Sequence, residues 1–249
     1  MGRSARVTNA CLMIYARIAI PIASVALLTG IAISDAENWT ITPLVGTDVG
    51  LDVAAGVQVE GPFRLRLAAT AGWLPNAYAW GAKKYFVDAL DGRKPVGELL
   101  EELIEQSFVF GTTLTARPFW HHGFFAGIGY HLVIADKTGL LIGQIENALD
   151  ERAPAGRVLG RRTFETKVRA HMGEALIGWQ WGLGRGFTLL ATIGVIKIMS
   201  TSTTFEPEFT PADPIATKVF TNAASRLVEG AGEGTFIPSS SLFLGYNFR

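Results

Sequence analysis

Residues 48–73 read DVGLDVAAGVQVEGPFRLRLAATAGW, and the odd-numbered positions on both sides of Gly61-Pro62 are apolar throughout. The even-numbered positions are polar, charged or small. An alternation of period two is typical of a β-strand with two different faces, because successive side chains point to opposite sides of the sheet. The stretch therefore predicts two antiparallel strands joined by a tight turn at Gly61-Pro62.

The same alternation recurs along the chain. The strands predicted from it are Asp48–Glu60, residues 63–73, Ser107–Arg117, Gly123–Ile134, Thr163–Trp181, Phe187–Ser200 and Phe236–Phe248. In the fifth of these the apolar set changes parity after Gly173, which predicts a β-bulge near Gly173-Glu174.

The types of residue on the polar face distinguish a membrane barrel from a soluble β-sandwich. That face mixes glycine, threonine and charges of both signs, as the narrow lumen of a small membrane barrel requires. Aromatic residues gather near the predicted turns, as they do at membrane interfaces. They are Phe63, Trp73, Trp120, Phe124, Trp179, Trp181, Phe187, Tyr246 and Phe248. The sequence predicts an all-β fold, an up-and-down antiparallel transmembrane β-barrel that spans the lipid bilayer.

The lengths of the connections give the orientation of the barrel. Short links at 61–62, 118–122 and 182–186 alternate with long links at 74–106, 135–162 and 201–235. Periplasmic turns of outer-membrane barrels are short and external loops are long, so the long links are predicted to be extracellular. Because bacterial barrels have an even number of strands, Trp39–Val45 is predicted as a first strand, with Gly46-Thr47 as its turn. The total is then about eight strands.

The N-terminal segment predicts export. Arg3, Arg6 and Arg17 precede the apolar run Ile18–Ile33, and small residues follow it, as in a secretory signal peptide. We expect residues 1–36 to be a signal peptide and residues 37–249 to form a single barrel domain. An uncleaved membrane anchor is the alternative, and the length of the run disfavours it because the run is near the lower limit for a span.

Charge and cysteine content exclude several classes of partner. The formal net charge is zero, so no general affinity for nucleic acid is expected. The one cysteine, Cys11, excludes an intrachain disulfide and a cysteine-cluster metal site. No cofactor is predicted, and we expect a monomer.

The C-terminal segment SLFLGYNF, residues 241–248, places Leu242, Leu244, Tyr246 and Phe248 on one face. This pattern resembles the terminal targeting strand of bacterial outer-membrane β-barrel proteins, although Arg249 follows the final aromatic residue. The resemblance implies outer-membrane location, recognition by the barrel-assembly machinery, and passage with periplasmic chaperones. It implies no particular activity.

Helical spacing of apolar residues appears in each long link. Val96–Phe108, Thr138–Leu149 and Ile215–Val228 are predicted amphipathic helices on the outer rim. One interpretation is that each helix packs on its own loop or at the lipid interface. The other is a cap that closes the lumen or gates an apolar ligand.

Charged residues on the predicted inner face are expected to form a lumen network of paired charges, because unpaired charge in a narrow lumen is costly. The predicted members are Asp48, Asp52, Arg64, Arg66, Arg117, Glu165, Lys167, Arg169, Glu174 and Lys197. A narrow path for ions or solutes is the alternative.

No catalytic or metal site is predicted. His121 and His122 lie in a short turn, and adjacent histidines rarely converge on one metal. His131 and His171 face the lumen by their phase, but no serine or carboxylate has a spacing that singles out a hydrolase triad. We therefore expect a structural or surface-interaction barrel. A small channel or transporter is the alternative function, and a lipid-modifying enzyme is third.

Overall fold

The computed structural model describes residues 39–49, 51–61, 63–89, 93–105, 107–119, 123–152, 162–211 and 213–248. The predicted signal peptide lies outside these residues, as do Trp120, His121 and His122.

Eight antiparallel strands form a closed up-and-down barrel, which confirms the predicted fold. Each strand pairs with the next along the chain, and the last pairs with the first. The strands are β1 (Thr40–Val49), β2 (Asp52–Glu60), β3 (Leu65–Trp73), β4 (Phe108–Ala116), β5 (Phe124–Leu141), β6 (Thr163–Gly184), β7 (Phe187–Pro207) and β8 (Phe236–Tyr246). The architecture is that of a small up-and-down β-barrel.

The first hairpin differs from its prediction. The first strand exists but extends to Val49, so Asp48 belongs to β1, not to the start of β2. The turn lies beyond Val49, where the Leu51 N–H donates to the Asp48 carbonyl at 2.9 Å. Leu51 lies in this turn and is buried in the interior, although its odd number and apolar character predict a place on the outward face of β2. Gly46 allows β8 to approach closely, because a Cβ there would lie 2.1 Å from the Leu242 carbonyl oxygen.

The predicted bulge at Gly173-Glu174 is wrong. The alternation of β6 is continuous, with its even-numbered residues inward from Phe164 to Gln180. The register shift lies instead in β7, where Ile198 and Ser200 pair with consecutive residues of β6. The apolar residues of β6 change sides for another reason. In the half of β6 near the short turns, which we call lower, the outer face is apolar. In the half near the helices, which we call upper, the inner face is apolar because it packs under the helices.

Among the residues that the structure describes, four helices occupy the long connections: α1 (Asn76–Ala89), α2 (Lys94–Ile104), α3 (Ile142–Leu149) and α4 (Pro214–Gly232). The last three confirm the predicted helices, except that residues 138–141 continue β5 and that α2 ends at Ile104, with Phe108 beginning β4. The first was not predicted. We call this end of the barrel the helical end, and the opposite end the short-turn end. None of the helices in the described part of the chain is long and apolar enough to cross a membrane.

A belt of exposed apolar side chains surrounds the barrel. Its members are Val45, Leu65, Leu67, Phe110, Leu114, Ile128, Ile177, Ile193, Val195, Leu242 and Leu244. At the short-turn end the belt is bordered by aromatic rings. Phe124 lies 5.8 Å from Trp179, and Tyr246 lies 5.2 Å from Phe187, measured between ring centroids. Trp73 lies at the other end of its strand, also exposed.

The buried apolar side chains of the described residues form three clusters. The lower apolar layer is Leu44, Ala68, Phe125, Leu176 and Leu190. The upper apolar layer is Leu51, Leu74, Ala79, Val109, Val133, Met172 and Ile196. The cap core contains residues of α2, α3 and α4 packed on inward residues of β5, β6 and β7, among them Leu99, Leu103, Ile145, Phe164, Val168, Phe205 and Ala224.

Candidate functional site in the barrel lumen

A charged cluster lies in the lumen at the short-turn end, where β2 ends and β3 begins. The Glu60 carboxylate accepts a hydrogen bond from Arg66 Nε at 2.8 Å and one from Arg117 Nη1 at 3.2 Å. The Arg66 side chain is 1% exposed, so this guanidinium is inside the protein. We call Glu60, Arg66 and Arg117 the lower charged cluster.

Two further contacts fix Arg66 across the barrel. Its Nη2 donates to Gln180 Oε1, and Gln180 Nε2 donates in turn to Thr188 Oγ1 at 2.7 Å. The guanidinium carbon also lies 5.4 Å from the centre of the Phe125 ring, within range of a cation–π contact. The lower charged cluster is thus joined to β6 and β7 and to the lower apolar layer.

A second polar cluster lies between the two apolar layers. His131 Nε2 lies 3.0 Å from Glu174 Oε2, and Ser239 Oγ donates to Glu174 Oε1 at 2.8 Å. Asp48 and Asp52 are register partners at the end of the first hairpin, and both are buried. We call Asp48, Asp52, His131, Glu174 and Ser239 the central polar cluster.

Inward glycines leave space for these side chains. A Cβ on Gly129 would lie 2.8 Å from Glu174 Oε2, and one on Gly72 would lie 2.8 Å from Asp52 Oδ2. A Cβ on Gly194 would lie 2.8 Å from Ser239 Oγ, and one on Gly111 would lie 3.1 Å from His131 Nδ1. Larger residues at these positions would therefore displace the polar groups of the central cluster.

The order of the hydrogen bonds bears on catalysis. In a serine hydrolase the histidine stands between the serine and the carboxylate, because it must accept the proton of the nucleophile. Here Glu174 stands between Ser239 and His131. The central polar cluster is therefore not arranged as a nucleophilic triad, and its place in the lumen keeps it away from the lipid side of the wall.

The same cluster contains a set of metal-ligand types. One potential ligand atom from each of Asp48, His131 and Glu174 lies within 4.8 Å of the other two. All three residues are buried. The sequence predicted no metal site, and these are the described residues that could hold one.

The predicted lumen charges divide into two groups. Asp48, Asp52, Arg66 and Glu174 are buried in the lumen, and Arg117 is half-buried in the lower charged cluster. Arg64 is half-buried in the turn between β2 and β3, with φ of 60°. Glu165, Lys167, Arg169 and Lys197 instead lie on the outer face.

The prediction that these four outward residues lie in the lumen was wrong, and on β6 the cause is a change in the surroundings of the strand. The polar face of upper β6 was assigned to the lumen, but beyond the belt the outer face is polar and the inner face belongs to the cap core. Lys167 pairs with its neighbour Glu165 at 3.0 Å, and Lys197 lies over the outer ring of Phe236 at 5.5 Å. His171 is outward for the same reason, and its Nδ1 lies 2.5 Å from the Tyr130 hydroxyl.

Glu60, Gln180 and Ser239 are functional-site residues that sequence reasoning missed. Glu60 already had the inward parity of β2, which was the available signal. Gln180 and Ser239 are uncharged, and a search for paired charges could not select them.

Several polar contacts attach the helices to the strands. Lys137 of β5 pairs with Glu102 of α2 at 2.7 Å, and the Thr203 N–H of β7 donates to Glu229 of α4 at 2.9 Å. Tyr78 of α1 shares a 2.7 Å hydrogen bond with Thr47 of β1.

The two long-loop helices of the first link are also joined to each other. Lys83 of α1 pairs with Glu101 of α2 at 2.6 Å, and this hydrogen bond raises the pKa of Lys83. Together with the cap core, these contacts make the four helices a packed structure over the helical end, which favours the interpretation as a cap over helices that each pack on their own loop.

Comparisons with known proteins give a likeness of fold. No family model matches the chain, and no curated protein does. Among solved structures, CarO2 of Acinetobacter baumannii is matched at 7% identity and a TM-score of 0.34, over 85% of this chain and 98% of that one. CarO of the same organism is matched at 10% identity and a TM-score of 0.33, over 84% of this chain and 97% of that one.

Proposed function

We propose that this protein is a non-conducting outer-membrane barrel whose helical cap presents a surface for contacts outside the cell. The observation that carries the proposal is the filled interior. Between the short-turn end and the helical end, the lumen holds the lower charged cluster, the lower apolar layer, the central polar cluster, the upper apolar layer and the cap core. A water-filled path would have to cross each of them.

Membrane location is supported by the outer surface. The belt is made of side chains that are about half exposed or more, such as Ile128 at 63%. An apolar surface that encircles a barrel would be costly in water and is favourable in lipid. The aromatic rings at the short-turn end match the interfacial position that such side chains prefer.

The route to the membrane is part of the proposal. Residues 1–36 would direct export and be removed, and the outward residues Leu242, Leu244, Tyr246 and Phe248 would present the signal read by the barrel-assembly machinery. In the folded barrel these four side chains belong to the outer surface. They are accessible to a partner only from the membrane side or before the barrel closes.

The experiment is single-channel recording of the refolded chain in planar bilayers. We expect no discrete conductance steps, because the polar groups are packed between apolar layers. Reproducible steps from the wild-type protein would contradict the proposal.

A gated path is the second candidate, favoured by buried polar atoms without a hydrogen-bond partner among the described residues. These include Arg66 Nη1 and Arg117 Nε. A variant in which residues 76–104 are replaced by a glycine-serine linker separates the two candidates. If the cap is a gate, this variant conducts; if the layers beneath it seal the lumen, it stays closed.

A further inference from the structure

We propose that the central polar cluster binds one divalent transition-metal ion, such as Zn²⁺ or Mn²⁺, through Asp48, His131 and Glu174. Neither the fold nor the proposed function requires this site. It is carried by side chains from β1, β5 and β6, which the barrel brings together in its interior.

The distances suit a shared ion. Metal–ligand bonds of about 2.1 Å place two ligands roughly 3 Å apart when the angle between them is near 90°, and at most about 4.2 Å apart. The 3.0 Å separation of His131 Nε2 and Glu174 Oε2 fits the first value. The Asp48 ligand atom lies within 4.8 Å of the other two, so a small inward movement would bring any separation above about 4.2 Å within reach of a shared ion.

The negative charges of the cluster exceed the positive charge that its own residues can supply, which favours binding of a cation. Asp48, Asp52 and Glu174 are three carboxylates in a dry interior, and His131 can supply only one positive charge. The lumen guanidiniums of Arg66 and Arg117 pair with Glu60 instead. Buried charge without compensation is strongly unfavourable, and a divalent ion held by Asp48, Glu174 and a neutral imidazole would offset two of the three negative charges.

An unpartnered carboxylate oxygen on one of the three residues is the independent observation. The Asp48 side chain is 7% exposed, and its Oδ1 has no hydrogen-bond partner among the described residues. Buried carboxylate oxygens are normally satisfied, so this atom needs a partner.

The surroundings of Glu174 resemble those of a metal ligand. Ser239 donates to Oε1 and leaves Oε2 directed toward His131, which is how outer-shell hydrogen bonds orient ligating carboxylates. The glycines at 72, 111, 129 and 194 keep methyl groups out of this space. Imidazole with carboxylates suits Zn²⁺ and Mn²⁺ better than Mg²⁺, which prefers oxygen alone.

The test measures zinc bound by the full chain after refolding in detergent micelles with Zn²⁺ and removal of free ion. Cys11 is replaced in every sample (Cys11→Ser), because a thiol binds zinc by itself. We expect one equivalent of zinc in this reference protein. In Asp48→Asn, His131→Gln and Glu174→Gln, each close in size to the original, the bound zinc should fall at least tenfold.

The matched control is His171→Gln, which removes a histidine on the outer face and should keep the full equivalent. Heat-dependent gel mobility establishes that each variant has folded. A second readout needs no variant, since Zn²⁺ should raise the unfolding temperature of the reference protein and a chelator should reverse the rise.

Two results would overturn the proposal. One is no zinc above the micelle blank, in which case the cluster is neutralised by protons. The other is equal zinc in the reference protein and in all three ligand variants, which would place the metal elsewhere. Neither result depends on whether the lumen conducts, so the proposed function is tested separately.

Discussion

At the residue scale, the lumen is organised by a few buried side chains whose partners come from distant strands. Arg66 joins β3 to Glu60 of β2 and to Gln180 of β6. Burying a guanidinium costs several kcal/mol, and its hydrogen bonds must offset that cost. Removing it leaves the Glu60 carboxylate with Arg117 and leaves Gln180 without its charged donor.

We predict that Arg66→Met lowers the free energy of unfolding by about 2 kcal/mol, near the low end for a broken buried pair because Arg117 still compensates Glu60. Urea unfolding of the refolded protein in lipid vesicles measures the change. Arg169→Met, on the exposed outer face of β6, is the control and should change stability little. Equal losses in both variants would mean that Arg66 has no special place in the lumen.

The residues of the central polar cluster were only partly predictable. Parity within one strand indicates that Glu174 and His131 point inward, because a strand has only two faces. It cannot indicate that Asp48 meets them, since β1 and β5 are far apart in the sequence and are not neighbours in the barrel. That contact depends on the diameter of the closed barrel and on strand stagger, which no single strand encodes.

At the element scale, a strand is predictable where one face is apolar and the other is polar along its whole length. It is less predictable where the apolar side changes from the outer face to the inner face. Within the belt the predicted strands agree with the structure. Above it, β5 and β7 extend seven residues past their predicted ends, to Leu141 and Pro207. There the apolar side turns inward under the cap, so the alternation shifts its parity or weakens.

The helices show the same dependence on surroundings. Three were predicted because their apolar residues recur at helical spacing and reach the cap core. The sequence of α1, NAYAWGAKKYFVDA, has aromatic residues on several sides, and Trp80 is exposed. It therefore gave no single apolar stripe to recognise.

A matched pair of lysine substitutions on β5 tests where the belt ends. We predict that Ile128→Lys lowers the free energy of unfolding by about 2–4 kcal/mol in vesicles, as for a lysine at the bilayer midplane. Thr138→Lys, on the same outer face but above the belt, should have little effect. Urea titrations of both variants measure the difference. If both substitutions are tolerated equally, Ile128 does not face lipid.

At the scale of the whole molecule, a closed sheet removes the exposed strand edges, and the filled interior makes the barrel a solid body. The apolar belt and the apolar layers are built from the same residue types, so the apolar fraction of the sequence alone does not separate outward from inward side chains. Topology was predictable from the alternating link lengths. The cap was not, because its core draws on three separate links and three strands.

The fold of this chain as a closed barrel in lipid underlies both proposals. It is tested most directly by the gel mobility of the refolded chain in lipid vesicles, compared with and without heating before electrophoresis in dodecyl sulfate. We predict a faster, compact band without heating that is replaced by a slower band after heating, and protein that remains with the vesicles. Identical mobility in both samples, with the protein recovered in the aqueous fraction, would contradict the barrel in lipid.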